Sequence, residues 1–415
     1  MPNNLITLAM DGNISAPQES IRSPEGSEFS RANAMELANL TRIAYSDYEN
    51  FESFDQDKPL LVEGATINVD EKMEDDTIAR YQILSPTLNT DPKDRGKYSY
   101  DVLGIFEYVS YTPFVFSLNP LKFLNFLREI RKPNISRFGF IAKREHEGEI
   151  LIFVVFRGTR EGFEWFNNSQ IHQIGFLSEK GNDPEKNPMK VHWGFHKIYT
   201  KYRPGPFLGL RKWFKPPNAI FVGLSDFYIW LIDTIQTRLG NPEPSSYPSL
   251  KQVVERVVGG ELEKYRREEK KSQVFVTGHS LGGALAVIST LHIDQEICKK
   301  KVFSSPILYS FASPRVGNQV FAREFPKNSY RIFNTEDLVA NVPSSVLAVR
   351  GVEMTNGNYP FGRRIIDFFS AGLSNQVYEH VGIPVCFTYQ TGAISSNHNM
   401  NVTYCSVLNS VSSVS

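Results

Sequence analysis

Cysteine is scarce. Cys298, Cys386 and Cys405 are the only three in a chain of 415 residues. They form no C-x-x-C pair, so no disulfide framework is expected, and the scarcity fits a reducing compartment. Net charge is missing too. Lys+Arg and Asp+Glu each number 45, giving a formal charge of zero, so there is no electrostatic footprint for nucleic acid. Long apolar runs are absent: no stretch reaches the roughly 18 residues that a membrane-spanning helix needs. The start, "MPNNLITLAMDGNISAPQES", has no basic leader, and its apolar run from Leu5 to Met10 is too short for a signal peptide. The expectation is a soluble or peripheral protein, cytoplasmic or held at a membrane surface. No internal repeat stands out. No His, Cys and acidic cluster has zinc-ligand spacing, so neither metal nor cofactor is expected.

What is present suffices for a large core. The chain is 41% hydrophobic and 22% charged, a balance that excludes global disorder. Its length fits one large domain with insertions or two ordinary ones. Residues 1–30, rich in Ser, Pro, Asn and Glu, read as a disordered tail. In "RANAMELANLTRIAYSDY" the residues Ala34, Leu37, Leu40, Ile43 and Ala44 recur at helical spacing. Residues 49–137 read as an insertion, with its aromatic-rich end, Val102 to Lys132, read as helices packing on a core. "RFGFIAKRE" and "EILIFVVFRG", joined by His146-Glu147-Gly148, read as a hairpin entering a buried central strand. "VHWGFHKIYTKYR" reads as a loop feeding a helix, and 204–250 as a second insertion. The segment from Ser249 reads as an amphipathic helix. Short apolar strands follow, alternating with helices, and that alternation argues for an α/β fold with a largely parallel sheet.

One stretch carries chemistry. In "SQVFVTGHSLGGALAVISTLH" an apolar strand ends at Thr277 and a small-residue helix begins at Gly282, with Ser280 between flanking glycines. A serine in such a strained strand-to-helix turn exposes its hydroxyl. The turn also aims the Leu281 N–H, at a helix N-terminus, toward a carbonyl under attack. A serine nucleophile needs a base. Eight histidines are available. In α/β-hydrolases the chain order is Ser, then Asp or Glu, then His. That order excludes His146, His172, His192 and His196. His279 should project away from the serine, and His292 lies about 18 Å along the next helix. His380 and His398 remain. Of the later aspartates, Asp294 shares the nucleophile's helix and Asp367 sits in the helix-like "RRIIDFFSAG". Asp337, directly after "SYRIFNTE", is the expected acid.

Five ordered motifs resemble those of the class 3 lipases, a family of fungal triacylglycerol lipases, plant phospholipase A1-type enzymes and sn-1-specific diacylglycerol lipases. They are "FVVFRGT", "VHWGFHKIY", "VTGHSLGGALA", "FASPRVGN" and "RIFNTEDLVANVP". In the last, Ala340 stands where the family pattern has its first proline. The resemblance covers residues 33–48 and 138–412. It implies one α/β-hydrolase domain over 31–415, with a mostly parallel central sheet, helices on both faces and a lid. It implies that His398, in "NHNMNVTY", is the base, while His380, in "YEHVG", is not. It implies Thr159 as the second oxyanion donor beside Leu281, and a lid bearing Phe163, Trp165 and Phe166. The implied activity is acylglycerol ester hydrolysis by Ser280, Asp337 and His398 through an acyl-enzyme, at a membrane or lipid-droplet surface. A phospholipase A1 or soluble-ester hydrolase with the same triad is the alternative. A catalytically dead lipid-binding protein is the reading from another class.

Overall fold

The computed structural model describes residues 6–7, 29–53, 60–69, 81–84, 98–110, 134–158, 173–176, 188–200, 247–342 and 377–410. Its strands, in chain order, are β1 (Ile6–Thr7), β2 (Thr66–Val69), β3 (Tyr81–Leu84), β4 (Tyr98–Ser110), β5 (Asn134–His146), β6 (Glu149–Phe156), β7 (Gln173–Gly175), β8 (Lys190–His192), β9 (Ser272–His279), β10 (Ile307–Phe311), β11 (Ser329–Asn334) and β12 (Ile383–Phe387). The longer helices are α1 (Arg31–Ser53), α2 (Trp193–Thr200), α3 (Leu250–Arg267) and α4 (Leu281–His292).

The ten-stranded sheet runs β1-β12-β11-β10-β9-β6-β5-β4-β2-β3, and β7 and β8 pair separately. From β1 to β6 every neighbour is parallel. From β6 to β3 every neighbour is antiparallel. The sheet is therefore an α/β arrangement with an antiparallel extension, less uniformly parallel than the alternation of strands and helices implied. The cause is the hairpin turn Glu147-Gly148 and the strands before it. Glu147 and Gly148 both have positive φ, as a tight two-residue turn requires, and β5 returns antiparallel to β6.

Both faces of the sheet are covered because its central strands are apolar on both. Along β6, Ile152, Val154 and Phe156 enter the core under α2, α3 and α4. Phe153 and Val155 enter the core under α1 and the C-terminal helical segment. Burial on both sides is what a near-continuous apolar strand demands. The α4 helix is buried all round, consistent with its lack of a polar face. At the start of α3, Ser249 Oγ accepts from the Gln252 N–H and the Gln252 side chain accepts from the Ser249 N–H, a capping box. The α1 helix lays Leu37, Leu40, Ile43 and Ala44 on the sheet. Two ion pairs fasten it to β5: Arg144 bidentate on Glu36 at 2.7 and 2.8 Å, and Arg137 on the buried Asp47 at 3.1 Å.

Three expectations need correction. The region 49–137 is not wholly an insertion, since β2, β3 and β4 within it extend the sheet. Residues 98–110 are a strand, not helix. There Val102, Gly104 and Phe106 alternate with more exposed neighbours, and register shifts between Val102/Gly104 and Phe106/Glu107 let Val102 and Phe106 serve opposite cores. Bulges of this kind break a sequence pattern that would otherwise mark a strand. Within 1–30, Ile6–Thr7 pairs parallel with β12, and Phe29 packs on Tyr309 and Tyr330. The rest of the expected tail, residues 111–133 and nearly all of the 204–250 segment lie outside the described residues. No helix among the described residues is long and apolar enough to cross a membrane.

Phe153 is central to the α1 side, stacked on Phe275 and edge-on to Tyr100. Phe153→Ala should cost about 3–5 kcal/mol of stability, read as a lowered urea midpoint. A midpoint equal to the native one would contradict this packing.

Candidate active site

The β9 strand lies between β6 and β10, with Gly278 opposite Phe156 and His279 opposite Phe311. It ends at His279, and α4 starts at Leu281. Ser280 alone makes the turn, with φ 59° and ψ −123°. For a non-glycine residue this backbone is strained, and it persists only where the surroundings enforce it. Here the Ser280 N–H donates to the Phe311 carbonyl at 3.0 Å. The first turn of α4 also crosses the end of β6 at backbone contact. A Cβ at Gly282 would lie 2.4 Å from the Arg157 carbonyl oxygen and 2.5 Å from that of Phe156. Leu281 is the first residue of α4, so its N–H is one of the donors that a helix start leaves without an intrahelical acceptor.

Asp337 lies in the turn after β11, and His398 ends a short helix, Ile394–Asn397. Asn334, at the end of β11, joins the two loops. Its side-chain amide donates to the Tyr389 and Asn397 carbonyls at 2.8 and 3.3 Å, and its side-chain oxygen accepts from the Tyr389 N–H at 2.9 Å. The structure brings Ser280, Asp337 and His398 together. His398 Nδ1 lies 2.8 Å from Asp337 Oδ2, and His398 Nε2 lies 2.8 Å from Ser280 Oγ. A carboxylate only accepts, so Nδ1 carries the proton and Nε2 accepts from the serine hydroxyl. Asp337 is buried but well supplied with donors: the Val339 N–H on Oδ1 at 2.9 Å and the Tyr404 hydroxyl on Oδ2 at 2.6 Å. Burial and the Asp337 charge hold the Tyr404 hydroxyl well above its ordinary pKa, so it stays a donor. The set can therefore accept, store and return one proton at Ser280 Oγ.

Three other histidines, His380, His292 and His279, are engaged elsewhere. His380 hydrogen-bonds the Ala340 backbone, and burial together with Arg331 and Arg315 pushes it down to about 2. His292 is buried between Tyr199, 2.7 Å away, and Glu255, 3.1 Å away. His279 does point away from the serine, toward Tyr45 and the His398 carbonyl. Thr159, Phe163, Trp165, Phe166 and Asp367 lie outside the described residues. Two neighbours of the site were not singled out for contact. Tyr404 closes the "NHNMNVTY" stretch that holds His398. Tyr45 sits in an ordinary amphipathic helix, and no local pattern marks it, because its partner His279 is 234 residues away.

Fold and site together define an α/β-hydrolase with a strand–serine–helix turn. Residues 153–347 match the family model described as Lipase (class 3). Among curated relatives, phospholipase A1-Igamma3, chloroplastic, of Arabidopsis thaliana is 25% identical over 296 residues, 67% of this chain and 47% of that protein. A secreted mono- and diacylglycerol lipase of Malassezia globosa is 34% identical over 90 residues, 21% of this chain and 28% of that protein. The chain thus spans less than half the length of these relatives. Among solved structures, a lipase from Rhizopus microsporus var. chinensis aligns over 80% of this chain and 77% of its own, at 19% identity and TM-score 0.36. The fold assignment rests on the strand order and the turn at Ser280 rather than on that superposition.

Gly282→Ala should destabilise the protein by about 1–3 kcal/mol, the usual cost of forcing extra atoms into a packed site, because both obstructing atoms belong to backbone. A thermal midpoint equal to the native one would show that β6 and α4 do not touch as described.

Proposed function

We propose that the protein is a serine carboxylic ester hydrolase acting on acylglycerols. The observation that carries this reading is the continuous hydrogen-bonded path from Ser280 Oγ through His398 to Asp337, each link 2.8 Å long. In this reading His398 Nε2 takes the Ser280 proton as Oγ attacks the ester carbonyl. Asp337 holds the imidazole in the required tautomer and stabilises its cation. The tetrahedral oxyanion meets the Leu281 N–H and, by family resemblance, the Thr159 N–H. His398 then protonates the departing alcohol, leaving Ser280 acylated. Water repeats the sequence and frees the fatty acid. A path this complete argues against a dead lipid-binding fold.

The substrate is a lipid ester, met at a membrane or lipid-droplet surface. By resemblance, Phe163, Trp165 and Phe166 form the lid that such a surface displaces. The relative named as a phospholipase A1 favours a second reading, in which the same triad cleaves the sn-1 ester of a phospholipid.

A substrate panel separates these readings: triacylglycerol and diacylglycerol emulsions, phosphatidylcholine vesicles, and dissolved p-nitrophenyl butyrate, each with native protein and with Ser280→Ala. The expected result is fastest turnover on acylglycerol emulsions, with Ser280→Ala lower by at least about four orders of magnitude. Preference for vesicles would replace the lead reading with the second. Equal turnover by native and Ser280→Ala protein on every substrate would end both.

A further inference from the structure

The triad leaves one buried histidine in the elbow unused. His279 is 3% exposed and is the last residue of the β9 strand, next to Ser280. Its Nε2 lies 2.8 Å from the His398 carbonyl oxygen. Its Nδ1 lies 2.9 Å from the hydroxyl of Tyr45 on α1. That hydroxyl in turn accepts the Gly158 N–H at 3.0 Å. The donors can be assigned without seeing hydrogens. A carbonyl only accepts, so Nε2 must carry the His279 proton. Burial and the nearby His398 hold the ring well below its ordinary pKa, so it is neutral and Nδ1 has a lone pair. Tyr45 must then donate to Nδ1, which leaves its oxygen to accept from Gly158. Every link has one direction.

The chain joins the parts of the site that must stay in register. Gly158 lies two residues beyond the end of β6 and immediately precedes Thr159. His279 precedes the nucleophile. The His398 carbonyl belongs to the proposed base. Packing around the Tyr45 hydroxyl is tight. A Cβ at Gly158 would lie 2.3 Å from that oxygen, 2.7 Å from the His279 carbonyl oxygen and 2.9 Å from Ser280 Cβ. The His279 ring also lies 4.7 Å from the His398 ring, centroid to centroid. His279 cannot act as a second base for Ser280, because Nε2 is committed to a carbonyl and Nδ1 faces Tyr45. The α1 helix is itself anchored to β5 through Glu36 and Asp47, so Tyr45 is presented from a fixed support.

We propose that Tyr45 and His279 are positioning residues for ester hydrolysis: a one-way hydrogen-bond relay that locks the Gly158 peptide and the His398 backbone to each other across the elbow. The inference rests on the hydrolase reading of Ser280. Through the Gly158 N–H the relay fixes the Arg157–Gly158 peptide, one peptide before the one expected to carry the Thr159 donor. Through the His398 carbonyl it holds the ring over Ser280. Neither residue touches the reacting atoms. Their loss should therefore lower turnover while leaving substrate affinity nearly intact, since misplacement of a catalytic group by a fraction of an ångström acts mainly on the barrier.

The test is the kinetics of p-nitrophenyl butyrate hydrolysis by native protein, Tyr45→Phe, His279→Gln and the double variant, with Ser280→Ala as the blank. The Gln amide reaches the Nε2 position and keeps the bond to the His398 carbonyl, but leaves Tyr45 without its acceptor. Each single variant should lower kcat about tenfold, the equivalent of one hydrogen bond of about 1.4 kcal/mol, with KM within about twofold. The double variant should lose less than the product of the two, because both act on one relay. An unchanged kcat in Tyr45→Phe, or losses that multiply, would overturn the relay while leaving the hydrolase reading intact. A native protein no faster than Ser280→Ala would remove both. Should a variant fail to fold, imidazole nitrogen NMR of the native protein decides the point. The relay requires the neutral Nε2–H form of His279, and an Nδ1–H form would overturn it.

Discussion

The carbonyl oxygens of Phe156 and Arg157 and the Cα of Gly282 occupy one small volume, and the rest of the site depends on that contact. Helix α4 can begin where it does only because position 282 carries no side chain. Because α4 begins there, Ser280 must complete the reversal alone, in a backbone conformation that costs a non-glycine residue roughly 1–3 kcal/mol. The core around α4 bears that cost, since every residue from Leu281 to His292 is buried. The serine is thus held at the end of a strand flanked on both sides by parallel neighbours, and its position is set by the most buried part of the molecule.

Around this rigid point the chain places its mobile-sounding parts, the loops, under close hydrogen-bond control. Asn334 ties the Asp337 turn to the segment leading into His398. Tyr404 and the Val339 N–H supply Asp337 with donors, so a buried carboxylate has partners besides the imidazole. Buried charge without such partners would be costly. The Tyr45–His279 relay extends the same control to the opposite side of the serine. Packing therefore sets the nucleophile, and polar networks set the groups that act on it.

Much of this was legible in the sequence because its determinants are local. The strand–serine–helix turn is written in contiguous residues from Ser272 to His292, and the apolar run in β6 announces a strand buried on both faces. The order Ser, Asp, His left two histidines open, and only a resemblance to known lipases favoured His398 over His380. The structure then brought His398 to Ser280. What escaped notice was non-local. Tyr45 meets His279 across 234 positions, and no periodicity announces such a pair. The β4 strand was misread because Val102, Leu103, Ile105 and Phe106 are all apolar, so its alternating burial has no counterpart in the sequence, and its bulges send Val102 and Phe106 to opposite cores.

The central claim is that Ser280, activated by His398, is the one nucleophile. Its most direct measurement is covalent labelling with a fluorophosphonate ester in the presence of detergent, followed by peptide mass mapping. The account predicts a single adduct on the peptide containing Ser280 in the native protein, and no adduct at the same exposure in His398→Ala. An adduct on any other residue, or labelling of Ser280 that persists unchanged without His398, would contradict it.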